Sequence, residues 1–293
     1  MNTNPLKQPI SVNPLSAYYR RPGTYITLPT GGKFYKQPPT LSDTGELAVY
    51  PMTAKDELIL KNPDALLNGE ALKIVIASVC PDIKNVNEIP APDIDPILVA
   101  MRMASYGDDL GIDVNHNCTA SDGKSQHVTI GLGTVLSTTK PIAETHGTVT
   151  LSTGIVVELK PYTLEAQSRV LRVQFVTMRQ LQAAEANDKM SIDEKAAIAN
   201  RGYDELVALS QDIMGLSILS VTLPDGVKVT QPSHIAEWVL NLDRATADRL
   251  DKELKGFNEY GITRDLSVKC DYCGEQFTTD MMFDPTSFFV GGS

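Results

Sequence analysis

Two cysteines separated by two residues, Cys270 and Cys273, with Gly274 directly after them, are the strongest chemical signal in this chain. At that spacing two thiolates grip one side of a tetrahedral metal ion, and the glycine permits the tight backbone turn that follows. Val268 and Phe277 flank the pair as strand-forming residues, so the motif reads as a zinc knuckle on a small hairpin. A knuckle of this kind supplies only two ligands. Cys118 with His116, or His127 as the alternative to His116, are the uncommitted soft ligands that could complete the set. Closing it would tie the middle of the chain to the C-terminus. The competing reading is two reduced cysteines in a turn with no ion. A redox role is disfavoured, because a thioredoxin-like motif wants a helix straight after a strand, and here β-forming residues flank the pair on both sides.

The other reactive side chains point to no further chemistry. His234 falls in the first turn of an expected helix and reads as a surface or interface residue. His146 precedes Gly147 in a loop with no acid–base partner nearby in sequence, and His127 alternates with Val128 and Ile130 as a half-exposed strand residue would. Asp82, Asp108 and Asp109 read as solvated loop acids. There is no phosphate-loop signature and no nucleophile elbow. Gly131-Leu132-Gly133 is followed by neither a third glycine nor an expected helix, so it is not a dinucleotide fingerprint. A zinc enzyme would need an open coordination position and a nearby acid or base, and only Glu275 adjoins the cysteine pair. No catalytic residue is nominated, and a non-enzymatic role is expected.

The elements that must position the cysteines follow from capping and turn signals. A pattern returns in altered form: a strand-like run reaches a glycine turn, a second strand follows, and a helix opens after a proline. The first copy holds Tyr25 to Gly32 and Val49 to Thr53, the second Val149 to Gly154 and Leu159 to Thr163, and the third Val221 to Val229 with Pro232-Ser233. Thr53 with Asp56 forms an acidic variant of the capping box, and the helix after it should end near Asn62, before Pro63. A second helix is expected over about 69–80, with Leu72, Val75, Ile76 and Val79 on one face. A loop holding Pro90 and Pro92 should follow. Asp95 should then cap a third helix with Pro96 in its first turn. Residues 112–132 read as a β insertion punctuated by glycines. Thr163 opens a long helix to about Ala186, and Ser191 with Glu194 is a capping box for another to about Met214, so the two should pair as an antiparallel hairpin. The last helix, from Thr246, should stop at Gly256.

These elements give an α+β fold: repeated β-hairpin plus helix modules, a small zinc-knuckle-like β insertion, and a C-terminal knuckle. The expected segments are an extended arm over 1–23, a first module over 24–107, the insertion over 108–147, a second and mostly helical module over 148–260, and a knuckle with a Phe-Phe tail over 261–293. The arm carries Pro5, Pro9, Pro14 and Pro22, with Tyr18 and Tyr19 as its large anchors. Before Asp43, the first acid, lie Lys7, Arg20, Arg21, Lys33 and Lys36, while the whole chain carries a net charge of −10. The sharper reading of this asymmetry is an arm that docks on an acidic neighbour through Arg20, Arg21, Tyr18 and Tyr19. Phe288 and Phe289 either fold back on the chain's own core or insert into a partner. An acidic body argues against nucleic acid as a partner. No apolar run approaches the ~20 residues of a membrane span. The start, Met1-Asn2-Thr3-Asn4-Pro5, lacks the basic-then-apolar pattern of a secretory signal.

Thr27-Leu28-Pro29-Thr30-Gly31-Gly32-Lys33-Phe34-Tyr35, followed by Val49-Tyr50-Pro51-Met52-Thr53-Ala54-Lys55-Asp56-Glu57, resembles the opening of the T-even-type baseplate hub proteins of contractile-tailed bacteriophages. Asp64-Ala65-Leu66-Leu67-Asn68-Gly69 and Arg102-Met103-Ala104-Ser105-Tyr106-Gly107 continue the likeness in order, as do the insertion and Pro161-Tyr162-Thr163. Relatives carry a C-x-x-C in the insertion. Here that stretch reads Asn115-His116-Asn117-Cys118, which leaves a mixed His/Cys site or an empty one. The resemblance implies a structural component of the tail baseplate near the hub, meeting other tail proteins and copies of itself in the virion after assembly in the host cytoplasm. An assembly factor that leaves the finished particle is the alternative it allows.

Overall fold

The computed structural model describes residues 13–62, 65, 69–187, 190–281 and 288–289. The first twelve residues of the arm and residues 282–287 lie outside the described residues. Strands β1 (Thr24–Ile26) and β2 (Leu47–Val49) pair antiparallel, with Ile26 opposite Leu47. They are joined by the long segment 27–46 rather than by a tight hairpin. Helix α1 (Ala54–Leu60) starts with the expected box: the Asp56 carboxylate accepts the Thr53 N–H at 2.8 Å, and the Thr53 hydroxyl caps the Asp56 N–H. Helix α2 (Glu70–Val79) follows Gly69, whose φ of +78° suits glycine alone and whose missing side chain leaves room for Ser168.

Helix α3 (Ala91–Tyr106) begins earlier than the expected Asp95. Proline is tolerated in a first helical turn, so Pro92 does not bar an early start. The start itself is set by tertiary contact: the Ala91 N–H donates to the Tyr162 carbonyl at 2.7 Å, and Pro90 bridges to Thr163. Asp95 is therefore a body residue of the helix, paired with Arg264 at 2.5 Å. Asp93, fully buried, receives the Thr30 N–H at 3.0 Å, the Thr30 hydroxyl at 2.6 Å and the Tyr35 hydroxyl at 2.9 Å. It thereby fastens the 27–46 segment to the core.

Strands β3 (Asp109–Asn115) and β4 (Ser125–Gly131) form the insertion hairpin. A short helix, α4 (Leu132–Ser137), follows Gly131, where none was expected. Its cap comes from a distant residue: Asp108 accepts the Leu132 N–H on its carbonyl at 2.8 Å and the Gly133 N–H on its carboxylate at 2.6 Å. Asp108 is exposed, as expected of a solvated acid, and also caps α4.

Strands β5 (Thr148–Thr150), β6 (Val156–Leu159), β7 (Ile218–Thr222) and β8 (Lys228–Val229) make one antiparallel sheet in that order, uniting the second and third copies of the repeated pattern. Between β6 and β7 runs the expected helical hairpin, α5 (Leu164–Glu185) and α6 (Ile192–Leu216), the latter opened by the Ser191–Glu194 box. Helices α7 (Pro232–Leu240) and α8 (Arg244–Gly256) then cover the sheet, and β9 (Asp265–Lys269) pairs with β10 (Gln276–Asp280).

Two apolar cores result. One surrounds α2 and α3 and includes Val75, Ile76, Ile97, Val99 and Met101, together with Leu132, Ile262, Phe288 and Phe289 from later in the chain. The other lies between the four-stranded sheet and α7–α8, around Val157, Leu250, Leu254 and Phe257. Phe34, held at φ +71°, meets Phe257 edge-on at 6.3 Å and links the 27–46 segment to the second core.

Candidate metal centre

The two antiparallel hairpins β3–β4 and β9–β10 meet at their ends, and there His116, Cys118, Cys270 and Cys273 come together. One ligand atom from each lies within 4.8 Å of every other. The Cys118 and Cys270 sulfurs are 3.9 Å apart, and the Cys273 sulfur is 3.5 Å from His116 Nδ1. With Zn–S near 2.3 Å and Zn–N near 2.0–2.1 Å, a tetrahedron places two sulfurs about 3.8 Å apart and a sulfur about 3.6 Å from a nitrogen. Both separations match what the chain presents, and three thiols with one imidazole form a donor set that zinc favours.

Local structure explains why these four atoms converge. In the knuckle the Cys270 N–H donates to the Glu275 carbonyl at 2.8 Å and the Gly274 N–H to the Cys270 carbonyl at 2.9 Å. Gly274 has φ +77°, as the motif requires. On the insertion side, the His116 carbonyl accepts the Cys118 N–H at 2.8 Å and the Ser121 hydroxyl at 2.8 Å, which curls residues 116–121 into a loop. The His116 ring stacks on Phe277 with centroids 4.5 Å apart and planes 7° from parallel, fixing its orientation.

A polar clasp joins the hairpins beside the cluster. Buried Gln126 donates to the Lys269 carbonyl at 2.9 Å and accepts the Asp271 N–H at 2.8 Å. Tyr272 adds a hydroxyl donation to the Ser125 carbonyl at 3.2 Å. Sequence reading passed over Gln126, although its signal was present: it alternates with Val128 and Ile130 on the inward face of β4, where a polar side chain needs a partner.

His127, the alternative ligand, lies on the opposite, exposed face of β4. Its Nδ1 pairs with Asp113 Oδ1 across the hairpin at 2.9 Å. Gly111 makes room for the ring, since a Cβ there would stand 2.6 Å from His127 Nε2. Strand alternation thus separates His127 from the cluster and leaves the position to His116.

The electrostatics favour a cation. The Cys273 amide directed at the Cys270 sulfur, aided by the His116 ring, holds the Cys270 thiol below the ordinary cysteine range. At Cys273 the Glu275 amide favours the thiolate, but desolvation and the Cys270 and Cys118 thiols outweigh it and push the pKa up. Like charges this close cannot all form unaided, and a divalent ion removes that conflict.

The residues nominated for partner contact have different fates. Tyr18 and Tyr19 are exposed, at 85% and 59%. Arg20 turns inward: it donates to the Pro51 carbonyl at 2.6 Å and the Ser78 carbonyl at 2.5 Å, and lies 3.6 Å from Asp56. Arg21 beside it is exposed. Of the two destinations open to Phe288 and Phe289, the chain's own core receives them, and buried Arg102 donates to the Phe288 carbonyl at 2.5 Å. His146, without a partner in its own stretch of sequence, finds Glu253 at 3.2 Å and sits edge-on to Phe257 and Tyr260.

A second feature concerns surface rather than chemistry. The α5–α6 hairpin buries only Leu164, Ser168 and Ala184 from one helix and Gly202, Leu209 and Ile213 from the other among the described residues. At its base an apolar groove of about 730 Å³ runs between the hairpin and α7–α8, lined by Val170, Leu171, Val207, Met214, Val239 and Leu242. Among the described residues no helix is long and apolar enough to cross a membrane.

The chain thus combines an α+β body, a long helical hairpin and a thiol-rich junction between two small hairpins. The chain belongs to the T4 bacteriophage base plate protein family, whose model matches residues 24–290. Membership gives it a structural role in a phage baseplate, and with it a place in the virion tail among other tail proteins. No curated protein and no solved structure matches the chain.

Proposed function

We propose that this protein is a non-enzymatic baseplate component near the tail hub, working through interfaces with other tail proteins and with copies of itself. Family membership carries the baseplate role. The observation that carries the interface reading is the α5–α6 hairpin, which is long, mostly solvent-facing, and opens onto an apolar groove. A two-helix hairpin gains most of its stability from packing an apolar face, so one that buries so little is suited to acquire a neighbour. Tyr18, Tyr19 and Arg21 add a second contact patch on the arm, since exposed tyrosines and arginines are the residues that anchor interfaces. In this reading the four-ligand cluster holds one structural Zn²⁺ that fastens the insertion to the C-terminal hairpin. Four protein ligands leave no open coordination position for substrate.

The test is incorporation. Mass spectrometry of purified tails should find the chain in the mature particle. Replacing Tyr18 and Tyr19 together with serine should leave a folded protein that is depleted from tails at least several-fold. A chain absent from mature tails would refute the virion reading, and normal incorporation of the double variant would refute the arm's role.

A further inference from the structure

We propose that the cluster is a two-state staple: a Zn²⁺ thiolate clamp in a reducing medium, and a Cys118–Cys270 disulfide once a peroxide-class oxidant has driven the ion out. Either state ties the insertion to the C-terminal hairpin. The first state rests on the zinc reading above, and the second on the sulfur geometry alone.

All three sulfurs lie within 4.8 Å of one another, and mobility together with burial favours the Cys118–Cys270 pair. The two sulfurs are 3.9 Å apart and belong to residues 152 positions apart in sequence. A disulfide needs them at about 2.05 Å, so they must close by roughly 2 Å. Cys118 can supply the movement, being half-buried on the 116–124 loop, whereas Cys270 is 1% exposed and fixed by the knuckle's backbone bonds. Cys273 is exposed and its sulfur faces His116 Nδ1. Cys80 is fully buried in the first core, among Val79, Ile83 and Ile97, and does not compete.

The chemistry balances with peroxide as the oxidant. The Cys118 thiolate attacks one peroxide oxygen, the O–O bond breaks, and a sulfenic acid forms as hydroxide leaves. The Cys270 thiolate then attacks the Cys118 sulfur, forming the S–S bond and expelling a second hydroxide. Two protons from solvent convert the hydroxides to water. Two electrons pass from the two sulfurs to peroxide, and zinc, which has no redox chemistry of its own, keeps its charge. With two of four ligands consumed, Cys273 and His116 alone are too few to retain it.

The experiment uses the full chain loaded with one equivalent of zinc sulfate, and a parallel sample stripped with chelator. Hydrogen peroxide is added while a metallochromic dye reads free zinc, a thiol reagent counts cysteines, and peptide mass spectrometry maps the linkage. The loaded chain should release one zinc and lose two thiols, with Cys118 joined to Cys270. Cys273→Ser should bind zinc at least tenfold more weakly yet form the same disulfide, which separates the two states. Cys118→Ser should lose the cross-link. If zinc never binds, the metal state is wrong, whatever the disulfide does. If zinc leaves but the link is Cys270–Cys273, intermolecular or absent, the disulfide state is wrong and the zinc reading stands.

Discussion

Around α3 the chain buries Ile97, Val99, Ala100 and Met101 completely, whereas the lobe formed by β3–β4 and β9–β10 buries only a few apolar side chains, such as Leu110, Val114 and Val268. Among the buried residues of that lobe stand Gln126, Ser121 and Cys270. A lone two-stranded hairpin is marginal in water, and two of them end to end have little apolar area to share. The body is therefore held by packing, and the lobe, rooted on that core through Leu110, Ile112, Ile130 and Leu266, is held at its far end by directed bonds: the glutamine clasp, the stacked imidazole and the thiol cluster. Small units that cannot bury enough surface commonly rely on a metal or a covalent link instead. The difference teaches where this protein is sensitive. The body should respond to lost volume, the lobe to lost ligands.

The largest effect should come from Phe257→Ala in the second core. Its ring is 1% exposed and touches Phe34 and His146. Truncation should cost about 3–5 kcal/mol in urea unfolding, with or without chelator. A chelator-dependent loss would blur the contrast between body and lobe.

Asp93 gives the next effect. Burial raises its pKa to about 6, against hydrogen bonds from Thr30 and Tyr35 that lower it. The unfolded carboxylate titrates at about 3.9. Because the folded value is the higher one, Asp93's contribution is fully present below about pH 4 and is lost as pH rises through about 6. Stability should fall by roughly 1–3 kcal/mol over that window. Asp93→Asn should flatten the slope in urea titrations across it, and an unchanged slope would remove Asp93 as the cause.

Gln126→Ala should cost about 1–3 kcal/mol, since it strips partners from the Lys269 carbonyl and the Asp271 amide. The loss should concentrate in the lobe, read as faster amide exchange in β4 and β9. Arg264→Gln should matter least, below about 1 kcal/mol, because its pairing with Asp95 is largely solvent-facing on the arginine side. A larger loss would mean that the bridge between body and lobe carries more than the lobe's own bonds.

Much of this architecture was legible because it is local. The boxes at Thr53–Asp56 and Ser191–Glu194 involve residues three apart, and both helices start where those boxes place them. The two ends of the cluster were legible for a related reason, since thiols are few and soft ligands fewer. What escaped depends on residues far apart in sequence. Helix α3 starts at Ala91 because Tyr162 receives its first amide, and α4 exists because Asp108 caps it from the far end of a hairpin. Asp93 carries no local signal of its role, because the groups that bury it, Thr30 and Tyr35, lie about sixty residues away. The choice of His116 over His127 was decided by strand alternation, which was visible in sequence but became decisive only with the register fixed.

Hydrogen exchange of the full chain, with one equivalent of zinc and after chelation, tests the contrast most directly. Chelation should speed exchange at least tenfold in β3, β4, β9 and β10 while leaving the amides of α2 and α3 unchanged. Equal protection of the four strands in both samples would contradict the account and show that the lobe holds together without its ligands being joined.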